Sequence, residues 1–213
     1  MKTVAYILAE KLLEISAIKL QPANPFVWAS GWNSPIYTDN RKTLSYPSLR
    51  SFIKIEIART VAENFKDVDA IAGVATGAIA QGALVADILG LPYVYVRSSP
   101  KDHGLENLIE GNLKAGQKVV VIEDLISTGK SSLKAVEAIR NAGCEVAGMV
   151  AMFTYQFPIA EKSFNDAKVK LITLSNYSAM LDVAVKTNYI NQSDAEALKV
   201  WREDPENWIP KID

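Results

Sequence analysis

Residues 119–131 read Val119-Val120-Val121-Ile122-Glu123-Asp124-Leu125-Ile126-Ser127-Thr128-Gly129-Lys130-Ser131. Four β-formers end on two adjacent carboxylates, two aliphatic residues follow, and a Ser-Thr-Gly-Lys-Ser turn opens a helical pattern. Strand, polar turn and helix in that order make half of a βαβ unit, and open α/β sheets bind ligands at the carboxyl ends of their strands. Glu123 and Asp124 are therefore expected where a substrate sits. The small residues behind them let backbone N–H groups at a helix N-terminus face a phosphate, which the helix dipole also favours. Carboxylates for hydroxyls and amides for phosphate together describe a ribose 5-phosphate site.

Two plainer readings compete. Gly129-Lys130-Ser131 also ends a nucleoside triphosphate P-loop, but that motif needs a glycine five residues before Gly129, where this chain has Asp124. A carboxylate inside a triphosphate cradle repels its ligand, so the P-loop is rejected. Alternatively, the acidic pair is a solvated strand end and Ser127 an ordinary N-cap. The fusion of both features behind a buried strand favours the site.

Outward from this stretch, apolar runs alternate with helical patterns. Strands are predicted at Ala70–Val74, Tyr93–Val96, Lys118–Ile122, Val146–Phe153 and Val169–Thr173, and helices at Ile79–Leu89 and Lys130–Asn141. Short helices follow near Tyr177–Val185 and Ser193–Trp201. The expected fold is α/β, a central, mainly parallel sheet flanked by helices. Before it, Val4–Ile18 has a helical apolar stripe, Leu49–Phe65 forms a second helix, and Leu20–Pro47 reads as an ordered, irregular hood carrying Phe26, Trp28 and Trp32. The chain is thus expected to be one domain over 1–213, with residues 1–47 as N-terminal helix and hood.

Composition excludes several classes. The 213 residues are 49% hydrophobic with a formal net charge of −1, enough for one sizeable core and without a basic footprint for nucleic acid or an anionic membrane. Cys144 and His103 are the sole residues of their kinds, so neither a disulfide framework nor a Cys/His zinc cluster is available. Neither a signal-peptide pattern nor a membrane-length apolar run is found, so a soluble, cytoplasmic protein is expected.

Three further segments matter. Arg97-Ser98-Ser99-Pro100-Lys101-Asp102-His103-Gly104 follows a strand and begins a polar stretch reaching Gly111. Phe26-Val27-Trp28-Ala29-Ser30-Gly31-Trp32-Asn33-Ser34-Pro35-Ile36-Tyr37-Thr38-Asp39-Asn40-Arg41 forms the hood, and Gly73-Val74-Ala75-Thr76-Gly77-Ala78-Ile79 joins strand to helix. With these in place, Val119–Ser131 resembles the signature that binds phosphoribosyl pyrophosphate (PRPP) in type I phosphoribosyltransferases. Glu123 stands where Asp is often first in the acidic pair. The other segments resemble the catalytic loop, base-covering hood and pyrophosphate loop of the orotate-specific members.

The resemblance implies an enzyme that moves the phosphoribosyl group from PRPP to orotate. Glu123 and Asp124 would contact the ribose, Leu125, Ile126, Ser127, Thr128, Gly129, Lys130 and Ser131 would hold the 5-phosphate, and Ser127 would also touch orotate. Arg97, Lys101 and His103 would bind the pyrophosphate; Lys101, His103 and Asp124 would be catalytic. Cations on the leaving group lower the barrier, because bond cleavage leaves negative charge there. Mg²⁺ would arrive with PRPP, without dedicated metal residues. The loop would close over the neighbouring subunit of a homodimer, and an extended excursion from Ser98 to Gly111 reaches on the order of 20 Å. Many members carry lysines at the positions of Ala29, Gly77 and Ser98, and some an orotate-binding arginine at that of Tyr155. These departures point to a subgroup that grips the orotate carboxylate with backbone amides and Arg41 or Lys42. A transferase for another nucleobase would share Val119–Ser131 without the hood, and a PRPP-sensing regulator would keep the fold without turnover.

Overall fold

The computed structural model describes residues 3–28, 31–99 and 108–209. Its centre is a six-stranded sheet of β5 (Ala70–Val74), β6 (Tyr93–Val96), β7 (Ile109–Glu110), β8 (Lys118–Ile126), β9 (Glu145–Thr154) and β10 (Leu171–Asn176), in the order β10-β9-β8-β5-β6-β7. Every neighbouring pair is parallel except β6 with β7. The N-terminal segment adds two small antiparallel sheets. One pairs β1 (Ile18–Leu20) with β4 (Ile36–Thr38), the other β2 (Phe26–Val27) with β3 (Asn33–Ser34).

Successive strand residues face opposite sides of a sheet, and β8 shows the consequence. Val119 and Val121 enter one core, Val120 and Ile122 the other, and all four are fully buried. That double burial explains why the strands read as unbroken apolar runs. On one face lie α1 (Val4–Glu14), α2 (Pro47–Asn64), α3 (Ile79–Leu89), α6 (Tyr177–Lys186) and α7 (Gln192–Glu203), contributing Leu12, Ile57, Val85, Met180 and Trp201. The other face is covered by α4 (Lys130–Asn141) and α5 (Pro158–Asp166), through Val136, Ile139 and Phe164. Each large aliphatic side chain so buried contributes roughly 1.5–3 kcal/mol.

Three boundaries differ from expectation. β8 does not stop at Ile122 but continues to Ile126, because Glu123, Leu125 and Ile126 pair with Ala151, Phe153 and Thr154 of β9. Ladder pairing there outweighs the low β propensity of acidic residues. The first helix ends at Glu14 rather than Ile18, since Ile18 opens β1 against Thr38. The last strand runs over Leu171–Asn176 rather than Val169–Thr173, and the short helix α5 precedes it. Among the described residues, no helix is long and apolar enough to cross a membrane.

Trp201 of α7 is fully buried, and its indole N–H donates to the Asn33 carbonyl at 3.2 Å, tying the end of the fold to the hood. Trp201→Phe should lower stability by about 2–4 kcal/mol, from an orphaned carbonyl and a partly unfilled space. Urea denaturation checks this, with a lower midpoint at unchanged slope as the expected result.

Candidate active site at the end of the central strand

The site begins where β8 outruns its neighbour. β5 pairs with β8 only as far as Gly73 opposite Ile122, so the acidic pair lies in a ladder open on the β5 side. Strand alternation starts the two side chains on opposite faces, yet their carboxyl groups stay within hydrogen-bonding reach of each other at the cleft. Glu123 turns toward α4, is buried, and accepts hydrogen bonds from Ser132 Oγ at 2.8 Å and from the Asp124 N–H at 3.0 Å. Burial, reinforced by the neighbouring Asp124 carboxylate, holds its pKa well above the usual carboxylate range despite the Ser132 hydrogen bond. Asp124 turns the other way, against the loop after β5, so closely that a Cβ on Gly77 would overlap its carboxylate.

Between these walls lies a cleft of about 270 Å³, lined by Thr76 and Gly77 on one side and by Asp124, Ser127, Thr128 and Ser131 on the other. Val74, Ala75, Glu123, Leu125 and Gly129 complete it, and the Ala75–Thr76 peptide is cis. Gly129 precedes α4 with φ +79°, and a Cβ there would meet the Phe164 ring of α5 at 2.8 Å. Glycine thus serves both the left-handed turn and the close packing that aim the helix N-terminus at the cleft. Ile126 does not share the cleft, since its side chain is fully buried in the core under α4. Lys130 and Arg97 line a neighbouring cavity with Ser98 and Leu108, Arg97 being paired to Glu110 at 3.4 Å. Lys101 and His103 lie outside the described residues, as does Ala29.

A second cavity of about 300 Å³ adjoins the first and shares Leu125 and Ser127 with it. Val27, Trp28, Tyr37, Thr38 and Tyr155 form its other walls. Trp28 stacks on Tyr155 with ring centroids 5.4 Å apart and meets Trp201 edge-on at 5.5 Å, and its indole N–H donates to the Ile36 carbonyl at 3.2 Å. Burial raises the Tyr155 hydroxyl above the ordinary tyrosine range, so this wall carries no charge. The cavity is flat-sided and aromatic, suited to a planar ring. Of the hood aromatics, Trp28 lines it, Phe26 packs on Tyr37 at 5.5 Å, and Trp32 lines a separate groove beside α4 and α5. Sequence reasoning had no signal for Trp201, whose helix lies far from the hood in the chain, nor for Tyr155 as an aromatic wall.

Two outcomes follow. Gly77→Ala should displace the Asp124 carboxylate and raise the KM for a ribose 5-phosphate substrate about tenfold or more while leaving the melting temperature nearly unchanged. Steady-state kinetics beside a thermal melt measures both. Glu123 gives a pH signature. An acid whose folded pKa exceeds its unfolded value adds stability that is full below the unfolded pKa, about 4.3, and is lost as pH rises through the folded value. Stability relative to the neutral Glu123→Gln variant should therefore fall as pH rises from about 4, as read by urea midpoints across pH.

Residues 50–188 match the family model described as "Phosphoribosyl transferase domain". The orotate phosphoribosyltransferase of Bacteroides fragilis is 71% identical over 208 residues, covering 98% of each chain. Among solved structures, the orotate phosphoribosyltransferase of Aeropyrum pernix superposes with a TM-score of 0.75 at 28% identity, covering 86% of this chain and 99% of that one. The UMP synthase of Leishmania donovani gives 0.78 at 26% identity, covering 93% of this chain and 42% of its own. Near-complete coverage at such identity, over a sheet whose central strand carries the acidic pair into a cleft, places this chain in the orotate phosphoribosyltransferase family.

Proposed function

We propose that the chain transfers the 5-phosphoribosyl group from PRPP to orotate, giving orotidine 5′-monophosphate and pyrophosphate in UMP biosynthesis. The observation that carries this reading is the junction of two cavities. A polar cleft with one outward carboxylate and a helix N-terminus meets an aromatic slot, and Ser127 belongs to both. A ribose 5-phosphate in the first brings its C1 toward a flat base in the second. All of residues 1–213 are read as one phosphoribosyltransferase domain, with 1–47 as helix and hood.

In this reading the C1–O bond to pyrophosphate breaks, its electron pair leaving with pyrophosphate, as a base nitrogen bonds to C1 and gives up its proton to the departing pyrophosphate or solvent. Asp124 accepts from the ribose hydroxyls, and the amides of Ser127 to Ser131 hold the 5-phosphate. The α3 N-terminus, behind Thr76 and Gly77, faces the departing pyrophosphate, with Arg97, Lys101 and His103 as its cations. Among the described residues, no group of three or more His, Cys, Asp or Glu is arranged to hold a metal ion. The cleft offers Asp124 with the hydroxyls of Ser127, Thr128 and Ser131, while Glu123 is occupied by Ser132 and the Asp124 amide. That donor set fits Mg²⁺ carried in on PRPP and keeping its water, where it would neutralise charge on the leaving group.

The substrate carboxylate needs a cation, and the two hood candidates differ. Lys42 donates to the Ser16 carbonyl at 3.1 Å. Arg41 is held by Asp39 through Nε at 2.7 Å, which leaves its two terminal NH₂ groups for a carboxylate, and its charge is felt by both Tyr37 and Asp124. Arg41 is thus the better grip. We place the reaction in the cytoplasm, because a multiply charged phosphate ester does not cross membranes unaided, and assign the working form as a homodimer with shared sites. The base of the loop between Arg97 and Leu108 supports the reading: the Arg97 N–H donates to the Leu108 carbonyl at 2.8 Å beside the antiparallel β6–β7 pair, which forms one edge of the sheet.

The test follows orotate absorbance with PRPP and Mg²⁺ in both directions, against uracil, adenine and hypoxanthine. Orotate-dependent PRPP consumption is expected, and preference for another base overturns the reading. Subunits of the inactive variants Lys101→Ala and Asp124→Asn are then mixed. Composite sites give one intact site per heterodimer and about half of wild-type activity. No recovery despite proven exchange puts the loop in its own subunit's site.

A further inference from the structure

Asn40 is 2% exposed, opens the turn Asn40–Ser45 after β4, and donates its Nδ2 hydrogen bond to the Asp124 carbonyl at 2.7 Å across 84 residues of sequence. The turn is itself fixed, since Thr43, also buried, donates its hydroxyl back to the Asn40 carbonyl at 2.6 Å. On its other side the segment is anchored to the hood sheet, where the Asp39 N–H donates to the Ala17 carbonyl at 2.7 Å. The bond falls on the extension of β8 where β5 no longer runs alongside. A side-chain amide thus supports the open part of the ladder. The other amide atom, Oδ1, is buried and has no hydrogen-bond partner among the described residues, so within these the side chain is held from the Nδ2 end.

The peptide that Asn40 holds carries the Asp124 side chain, which has little room to wander. Gly77 lies against its carboxylate on one side, and the Asp124 N–H is engaged by Glu123 on the other. A rotation of the Asp124–Leu125 peptide would swing the carboxylate out of the cleft. It would also move Leu125, which lines both cavities. We propose that Asn40 is a positioning residue: by fixing the Asp124 carbonyl it aims the Asp124 carboxylate at the ribose and locks the base-covering hood to the ribose-binding strand. Asn40 touches neither substrate and acts through Asp124. The proposal rests on the phosphoribosyl-transfer reading above.

A double-mutant cycle tests it, because residues that act through one another are not additive. Asn40→Ala and Asn40→Asp each remove the donor, the second at constant shape, and each is made alone and with Asp124→Asn. Calorimetric affinity for PRPP with Mg²⁺ and steady-state constants are measured on the folded proteins. In the wild-type background the Asn40 variants should weaken PRPP binding and kcat/KM for PRPP about tenfold, and in the inactive Asp124→Asn background, where calorimetric affinity is the readout, they should weaken PRPP binding about twofold or less. Equal losses in both backgrounds, or no loss in the first, overturn the proposal. So does a loss confined to the melting temperature with normal constants in the folded fraction. If Asn40→Ala does not fold, the Asn40→Asp cycle decides alone. If the wild-type protein consumes no PRPP with orotate, the functional reading fails; if it does and the cycle is additive, only the role of Asn40 fails.

Discussion

Two adjacent residues in a β-strand cannot point the same way, and the site is organised around that constraint. Glu123 and Asp124 sit inside the β8 ladder on opposite faces, so Glu123 reaches Ser132 of α4 while Asp124 lies against Gly77 of the loop after β5, their carboxyl groups remaining within reach of each other. The inward acid finds Ser132 on the first turn of α4 and so fixes the start of the helix whose N-terminus faces the cleft. The outward acid finds no side chain opposite it because position 77 is glycine. One acid braces the frame and the other stays available to a ligand, and neither could take the other's place without a shift in register.

The hood depends on the same strand from the opposite direction. Its aromatic walls come from separate stretches, Trp28 and Tyr37 near the N-terminus and Tyr155 just after β9, with Trp201 of α7 packed behind Trp28 and Tyr155. None of these could hold a flat cavity alone. Leu125 and Ser127, just past the acidic pair, give the cavity its floor, so the geometry of β8 reaches the base as well as the ribose.

Much of this was legible in the sequence because local patterns carried it. Ala70–Val74, Ile79–Leu89, Tyr93–Val96 and Lys130–Asn141 fall at the positions that apolar periodicity and helix-opening residues indicate. The end of β8 was misread because Glu123 and Asp124 resemble a strand terminus by composition, while the pairing that carries the strand past them comes from β9, a non-local partner. The split between the two acids was illegible for the same reason, since it needs the positions of α4 and Gly77. Trp201 and Asn40 were beyond reach because each owes its place to a contact 168 or 84 residues away. Local spacing holds no record of such contacts.

The bond from Trp201 to Asn33 also orders events in time. Trp201 leaves the ribosome 168 residues after Asn33, so until α7 emerges the aromatic residues of the hood lack the indole they pack against. The sheet from β5 to β9 can meanwhile assemble by contacts of shorter range, which form faster because less chain entropy is lost in bringing their ends together. A nascent chain therefore completes its phosphate cradle before its base-binding slot. Until the last helix docks, the exposed indoles are the part of the protein most in need of protection from association with other chains.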